Sequence, residues 1–357
     1  MAKAKVFVFA PADPTGETHK RLEGLGCELV LGKASWSSPM GNNEDEMVRM
    51  AEGADALMGT SIRSSPITRR IMEASKNLRI VAKFTIGVDD VEVDAATDLG
   101  ILVTHAPAES NWGGVAEGTL SIMLALLKKI REKDRWVKAG NWRSNDLLGA
   151  YVGSRADGYK GITIGIVGLG RVGGRFADLM RPWRARLIGY DPYIPDSKFH
   201  EHGVEKVDWQ TLLRESDVVS LHVVLTKETR HMIGEAELRQ MKPSAVLVNT
   251  SRGAAVDERA LVRALQEGTI TAAGLDVFEA EPIFTESPLL QLGDKVLLSP
   301  HMVSGNTGAG LKPGLLWGTE AVIKALKGEA HDNVYNKEVI PRWLERFGGK
   351  SLLSGGQ

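Results

Sequence analysis

Three polar clusters in the second half of this 357-residue chain hold the groups that a carbonyl reduction needs. They are Asn249-Thr250-Ser251-Arg252-Gly253, Asp276-Val277-Phe278-Glu279-Ala280-Glu281-Pro282 and Ser299-Pro300-His301. Each follows a short apolar run that reads as a strand, at 245–248, 273–275 and 296–298. Together they offer a guanidinium, carboxylates and an imidazole. A guanidinium grips a carboxylate through two parallel N–H donors and polarises the neighbouring carbonyl. An imidazole delivers a proton to the forming alkoxide. A carboxylate behind the ring orients it and favours its protonated form. Taken singly, each residue also has a plain reading as a strand cap, a loop histidine or a solvated turn residue.

The hydride for such a reduction needs a cofactor, and the segment 165–173 supplies a place for one. It reads Gly-Ile-Val-Gly-Leu-Gly-Arg-Val-Gly, between an apolar run at 162–167 and a helical pattern over 172–183. A second strand follows at 186–190 and ends on Asp191. Gly168 permits a tight turn, Gly170 lets backbone approach a pyrophosphate, and Gly173 lets helix and sheet pack closely. Arg171 and Val172 open the helix, whose free N–H groups attract phosphate. Asp191 stands about 20 residues beyond the glycines, where a carboxylate accepts from both hydroxyls of a ribose and repels a 2′-phosphate. The expected cofactor is therefore NAD rather than NADP. The plain alternative is a strand-to-helix turn, with Asp191 opening an Asp-Pro turn.

These residues need a scaffold, and the chain is long enough for two domains. Apolar runs at 6–9, 56–58, 80–82 and 101–103 alternate with helical stretches such as 18–25 and 65–74. The alternation resumes at 162–167, 187–190, 218–222, 245–249, 273–275 and 296–298. Both halves read as α/β with doubly wound parallel sheets. The cofactor domain is expected over 105–302, and residues 1–104 with 303–357 should form a substrate domain across a cleft. One long helix is expected over 115–139, followed by a linker at 141–160. The part at 115–127 is too apolar to face water, so a homodimer with this helix at its twofold axis is expected.

With 44 basic against 45 acidic residues and no charge runs, neither nucleic acid nor a membrane surface is an expected partner. A single cysteine, Cys27, excludes an intrachain disulfide and fits the cytoplasm. No metal site is expected. His200 and His202 flank Glu201 but do not share a helix face, so both read as solvated.

The chain resembles the D-isomer-specific 2-hydroxyacid dehydrogenase family over nearly its whole length. The residues that carry the resemblance are Gly87-Val88-Asp89-Asp90-Val91, Val115-Ala116-Glu117, the glycine turn with Tyr190-Asp191-Pro192, and 249–253. Gly274-Leu275-Asp276-Val277-Phe278 with Glu281-Pro282, and Pro300-His301, complete it. The resemblance implies that Arg252 binds the substrate carboxylate, Glu281 supports the histidine and His301 is the acid/base. It places Asp276 near the nicotinamide carboxamide and His222 and Thr250 on the cofactor side. It points, like the residues themselves, to a small-molecule 2-oxo or 2-hydroxy acid as substrate.

Several positions depart from the family pattern. Val224 stands where a proline is usual, Lys83 where arginine is, and Thr85 where glycine is. Arg63-Ser64 resembles a pair that holds phosphate in phosphoglycerate enzymes. Arg63, Lys83, Ile86 and Gly87 are the expected substrate-side residues, and the two cations favour a small polar 2-oxo acid. Two rival readings share the resemblance: an NAD(H)-sensing corepressor-like binding protein, and a phosphite-type dehydrogenase using a lysine near Lys83.

Overall fold

The computed structural model describes residues 3–33, 43–61, 65–283, 285–307 and 310–353. It divides into two compact units, Met1–Asn111 with Asn306–Gln357, and Trp112–Gly305.

The first unit holds β1 (Lys5–Ala10), β2 (Glu28–Leu31), β3 (Ala56–Gly59), β4 (Ile80–Lys83) and β5 (Leu102–Thr104). They form one parallel sheet in the order β2-β1-β3-β4-β5. The central strands are buried along nearly their whole length, as expected for a sheet covered on both faces. Strand β2 has no counterpart in the sequence reading. It is a half-exposed edge strand, so its pattern lacks a buried apolar run. Helical structure expected over 65–74 is confined to Arg69–Glu73 among the described residues. Ile67 instead pairs with Val91 in a parallel bridge. Arg79 is buried and donates to the carbonyls of Ala325, Leu326 and Lys350, while its own carbonyl accepts from Trp343 Nε1. It thereby ties the C-terminal segment to β4.

The second unit holds β6 (Thr163–Val167), β7 (Arg186–Tyr190), β8 (Glu205–Lys206), β9 (Val218–Leu221), β10 (Val246–Asn249), β11 (Ala272–Leu275) and β12 (Val296–Leu298). The sheet is parallel throughout, in the order β12-β11-β10-β9-β6-β7-β8. Strand order reverses between β6 and β9, the switch point where such sheets take ligands. Strand β8 was not expected; it is two charged, exposed residues with no hydrophobic signature.

The expected single helix over 115–139 is two, Glu109–Leu127 and Ile130–Lys138. Lys129 breaks it with φ 53, a left-handed conformation. The segment 141–160 is not a free linker but folds back onto that break. Ala150 N–H donates to Leu127 O, and Lys128 and Lys129 donate to the carbonyls of Ala150 and Asp146. A Cβ on Gly149 would stand 2.7 Å from Leu127 O, so the approach needs glycine. Ala116, Ile122, Met123 and Leu126 of the first helix are buried in the core of this unit.

Candidate active site

The glycine turn links β6 to helix Arg171–Met180. Gly168 has φ 86, and a Cβ there would stand 2.7 Å from His222 O. A Cβ on Gly173 would stand 2.0 Å from Gly168 O, so the helix can approach the turn only with glycine at this position. Gly170 differs: a Cβ there would meet nothing within 4 Å. Its side of the turn is open, in front of a helix N-terminus with no side-chain cap. That is the space and the donor set a phosphate requires. Asp191 binds the turn from the end of β7: Oδ2 accepts from Leu169 N–H at 2.9 Å and Oδ1 from Tyr193 N–H at 3.0 Å. It therefore opens the Asp-Pro turn and buttresses the glycine turn together.

His222 follows β9, stacked at 5.3 Å on Phe176 and bonded through Nε2 to Ser220 Oγ at 3.0 Å. Its Nδ1 is buried without a hydrogen-bond partner, and burial pushes the ring pKa down to about 3. The ring is neutral at physiological pH. His202, expected to be solvated, packs on the same helix: its ring bonds Asp178 at 3.0 Å and fills the space beside Gly174.

Beyond β10 the chain turns on Asn249. Its Oδ1 accepts from Ser251 N–H and Oγ, and its Nδ2 donates to Arg252 O. Thr250 is buried and its hydroxyl bonds Thr119 at 2.7 Å. Thr119 lies 131 residues away in sequence, and no sequence signal linked the two. Arg252 Nη1 donates to Ser251 O at 2.7 Å. A Cβ on Gly253 would stand 2.0 Å from the Phe278 carbonyl, so the turn bearing Arg252 lies directly against the loop after β11.

That loop carries two carboxylates with different tasks. Burial raises the Asp276 pKa, and bonds from Ser299, Met302 and Val303 partly offset the shift. The carboxylate accepts from the Met302 and Val303 amides at 2.9 and 3.3 Å, fixing the chain just past His301. Glu281 Oε1 accepts from Phe278 N–H at 3.0 Å, and Oε2 lies 2.8 Å from His301 Nδ1. Glu281 precedes a cis proline. His301 has φ 56, a region rarely occupied by residues with a Cβ. Its ring is 43% exposed while Glu281 is 12% exposed. The carboxylate is thus withdrawn, and imidazole Nε2 is free of it. Arg252, Glu281 and His301 stand beyond the carboxyl ends of the adjacent strands β10, β11 and β12.

In the first unit the expected substrate residues separate. Lys83 is not a substrate ligand. It is fully buried, with Nζ 2.6 Å from Asp90 Oδ2, 3.1 Å from Thr60 O and 5.1 Å from the centre of the Phe9 ring. Burial lowers its pKa, and Asp90 partly offsets that. An ammonium enclosed this way serves the core. Ile86 and Gly87 are half-buried, and their carbonyls accept from the His105 ring and the Thr85 hydroxyl. Arg63 lies outside the described residues. No group of metal-binding side chains occurs among the described residues, and none of their helices is long and apolar enough to cross a membrane.

Comparison with known proteins adds four findings. Residues 120–303 match the family model for the D-isomer specific 2-hydroxyacid dehydrogenase, NAD binding domain. The chain is 38% identical over 309 residues to a glyoxylate reductase of Thermococcus litoralis, covering 85% of this chain and 90% of that one. It is 34% identical over 332 residues to a D-3-phosphoglycerate dehydrogenase of Archaeoglobus fulgidus, covering 93% of this chain but 59% of the relative. A solved structure of D-lactate dehydrogenase from Aquifex aeolicus, complexed with NAD and lactic acid, superposes with TM-score 0.77 at 28% identity, covering 95% of this chain and 98% of that one.

Proposed function

The chain belongs to the D-isomer specific 2-hydroxyacid dehydrogenase family, and on that premise we propose that it reduces a small 2-oxo acid, with Arg252 as carboxylate clamp and Glu281–His301 as proton donor. Its class is that of NAD-dependent oxidoreductases acting on 2-hydroxy acids. The observation that carries the assignment of roles is the 2.8 Å contact between His301 Nδ1 and Glu281 Oε2.

The residues present fit a dinucleotide. The open side of Gly170, the N-terminus of helix Arg171–Met180 and the Asp191 carboxylate would hold its phosphates and ribose. When bound, the cofactor would supply the hydride. Everything else falls to side chains. Arg252 would bind the carboxylate beside the reacting carbon and draw electron density from the carbonyl. His301 holds its proton on Nε2 and delivers it to the developing alkoxide. Glu281, fixed by the Phe278 amide, keeps the ring in one orientation and stabilises its charged form. Asp276 keeps the backbone after His301 in place.

For the substrate we favour a small acid of the glyoxylate or hydroxypyruvate type. The glyoxylate reductase relative supports this reading. The two-cation argument for a small polar 2-oxo acid loses Lys83 to the core, and the phosphite alternative loses its lysine for the same reason. The experiment is a screen of glyoxylate, hydroxypyruvate, pyruvate and 2-oxoisocaproate with NADH, followed by absorbance. Oxidation fastest with the first two supports the proposal; none with any of the four, or preference for the branched acid, overturns it.

We also propose a homodimer, with a changed contact face. The helix expected at the axis contributes Ala116, Ile122, Met123 and Leu126 to the core of its own unit. Exposed apolar side chains lie further on, among them Ile130, Val137, Trp142 and Leu148, the last two each 72% exposed. Exposed apolar side chains of this kind suit contact with a second copy of the chain.

A further inference from the structure

A second histidine–glutamate pair stands beside the first. His231 Nε2 lies 2.7 Å from Oε1 of Glu279, which shares a loop with Glu281. His231 itself lies in the loop after β9, and its backbone is hydrogen-bonded to the turn that follows Arg252. His231 N–H donates to Ala254 O at 2.8 Å, and Ile233 N–H to Ala255 O at 3.2 Å, along the turn that follows Arg252. Glu279 is also held by the N-terminus of helix Glu258–Glu267. Glu258 N–H donates to Glu279 Oε1 and Glu279 N–H donates to Glu258 Oε2, each at 3.2 Å.

His231 also has φ 52, as His301 has φ 56. Glycine adopts this conformation freely, and a residue with a Cβ does so at a cost. The turn therefore needs no imidazole for its own shape. What the imidazole adds is a link between two loops. At one end Gly253 lies against the Phe278 backbone. At the other, His231 joins the Arg252 turn to Glu279.

We propose that His231–Glu279 is a clamp that fixes the Glu281–His301 pair relative to Arg252, so that His231 is a positioning residue for the reaction. This rests on the roles assigned above to Arg252 and His301. The pair is partly exposed, and its direct worth to stability is small. Its effect lies in geometry, because small misplacements of reacting groups are costly to turnover.

His231→Gly keeps the backbone conformation and removes the ring. Glu279→Gln keeps a carbonyl acceptor and removes the charge. Both variants should retain the melting temperature and the KM for NADH. Both should lower kcat by about tenfold and raise the KM for the 2-oxo acid. Amide exchange over 277–283 should rise in both. Wild-type kcat together with wild-type exchange over 277–283 overturns the proposal. So does a lower melting temperature with unchanged kcat per folded molecule, which would make the pair purely structural. If the wild-type protein oxidises NADH with none of the 2-oxo acids, the reading of the site fails instead. Exchange over 277–283 then decides on the clamp alone: a rise in both variants supports it, and no change overturns it.

Discussion

His301 is the residue whose environment speaks most directly to chemistry. Its ring is accessible while its carboxylate partner is withdrawn, which is what a proton donor needs on its two sides. His301→Ala should lower turnover by roughly two to four decades with NADH binding nearly intact. Arg252→Ala should raise the KM for the 2-oxo acid as well as lower kcat. Steady-state kinetics with titration of NADH fluorescence checks both; near-normal turnover in either variant means the roles are misassigned. His222 makes a separate prediction, about acid stability. Its ring is held neutral in the fold, with pKa about 3 against 6.5 when exposed. Between those values the unfolded chain binds a proton that the folded chain refuses, so stability falls as pH drops through this window. His222→Gln lacks that proton and should lose less stability between pH 7 and pH 5. Urea unfolding at the two pH values measures it, and equal losses in both proteins would rule the ring out as the source.

At the scale of elements, the site is a set of loops hung on adjacent parallel strands. Strands β10, β11 and β12 place Arg252, Asp276, Glu281 and His301 on one edge because they run in the same direction, in register. The loops are then fitted to each other by close backbone contact, and Gly253 is the tightest point. Gly253→Ala puts a methyl 2.0 Å from the Phe278 carbonyl and must push the two loops apart. The expected cost is about 1–3 kcal/mol of stability. A loss of activity larger than the unfolded fraction explains should accompany it. Thermal unfolding and kcat measured on the same sample test this; a variant with native melting and native kcat would show that the contact yields easily.

The whole molecule raises the question of assembly. The helix Glu109–Leu127 buries Ala116, Ile122, Met123 and Leu126 in its own unit, while Val115, Leu120 and Leu124 are only half-buried. Exposed apolar side chains between Ile130 and Leu148 offer further apolar surface for a contact with a second copy. Light scattering at micromolar concentration should therefore give twice the 38.7 kDa chain mass. Trp142→Glu with Leu148→Glu should return it to the mass of one chain, since charge in a desolvated contact is costly. A single-chain mass for the unaltered protein would refute the dimer. A dimer indifferent to both substitutions would move its contact elsewhere.

Much of this protein was legible in its residues. The glycine turn, Asp191 and the order of the three polar clusters follow from local rules: which residues allow a tight turn, which charge suits a ribose, and which runs are apolar enough to be buried strands. Six of the seven strands of the second sheet carried that apolar signal, and β8, being two charged edge residues, carried none. Other features depend on partners distant in sequence. Lys83 reads as a free cation until the fold closes Asp90, Thr60 and Phe9 around it. The helix expected over 115–139 breaks at Lys129, where the later loop at 146–150 returns to pack on it. His231 meets Glu279 only because the loops after β9 and β11, whose strands β10 separates, both emerge from the carboxyl edge of the sheet. Local propensity sets which elements form and which groups they carry. Burial and pairing across the chain set which of those groups remain available for chemistry.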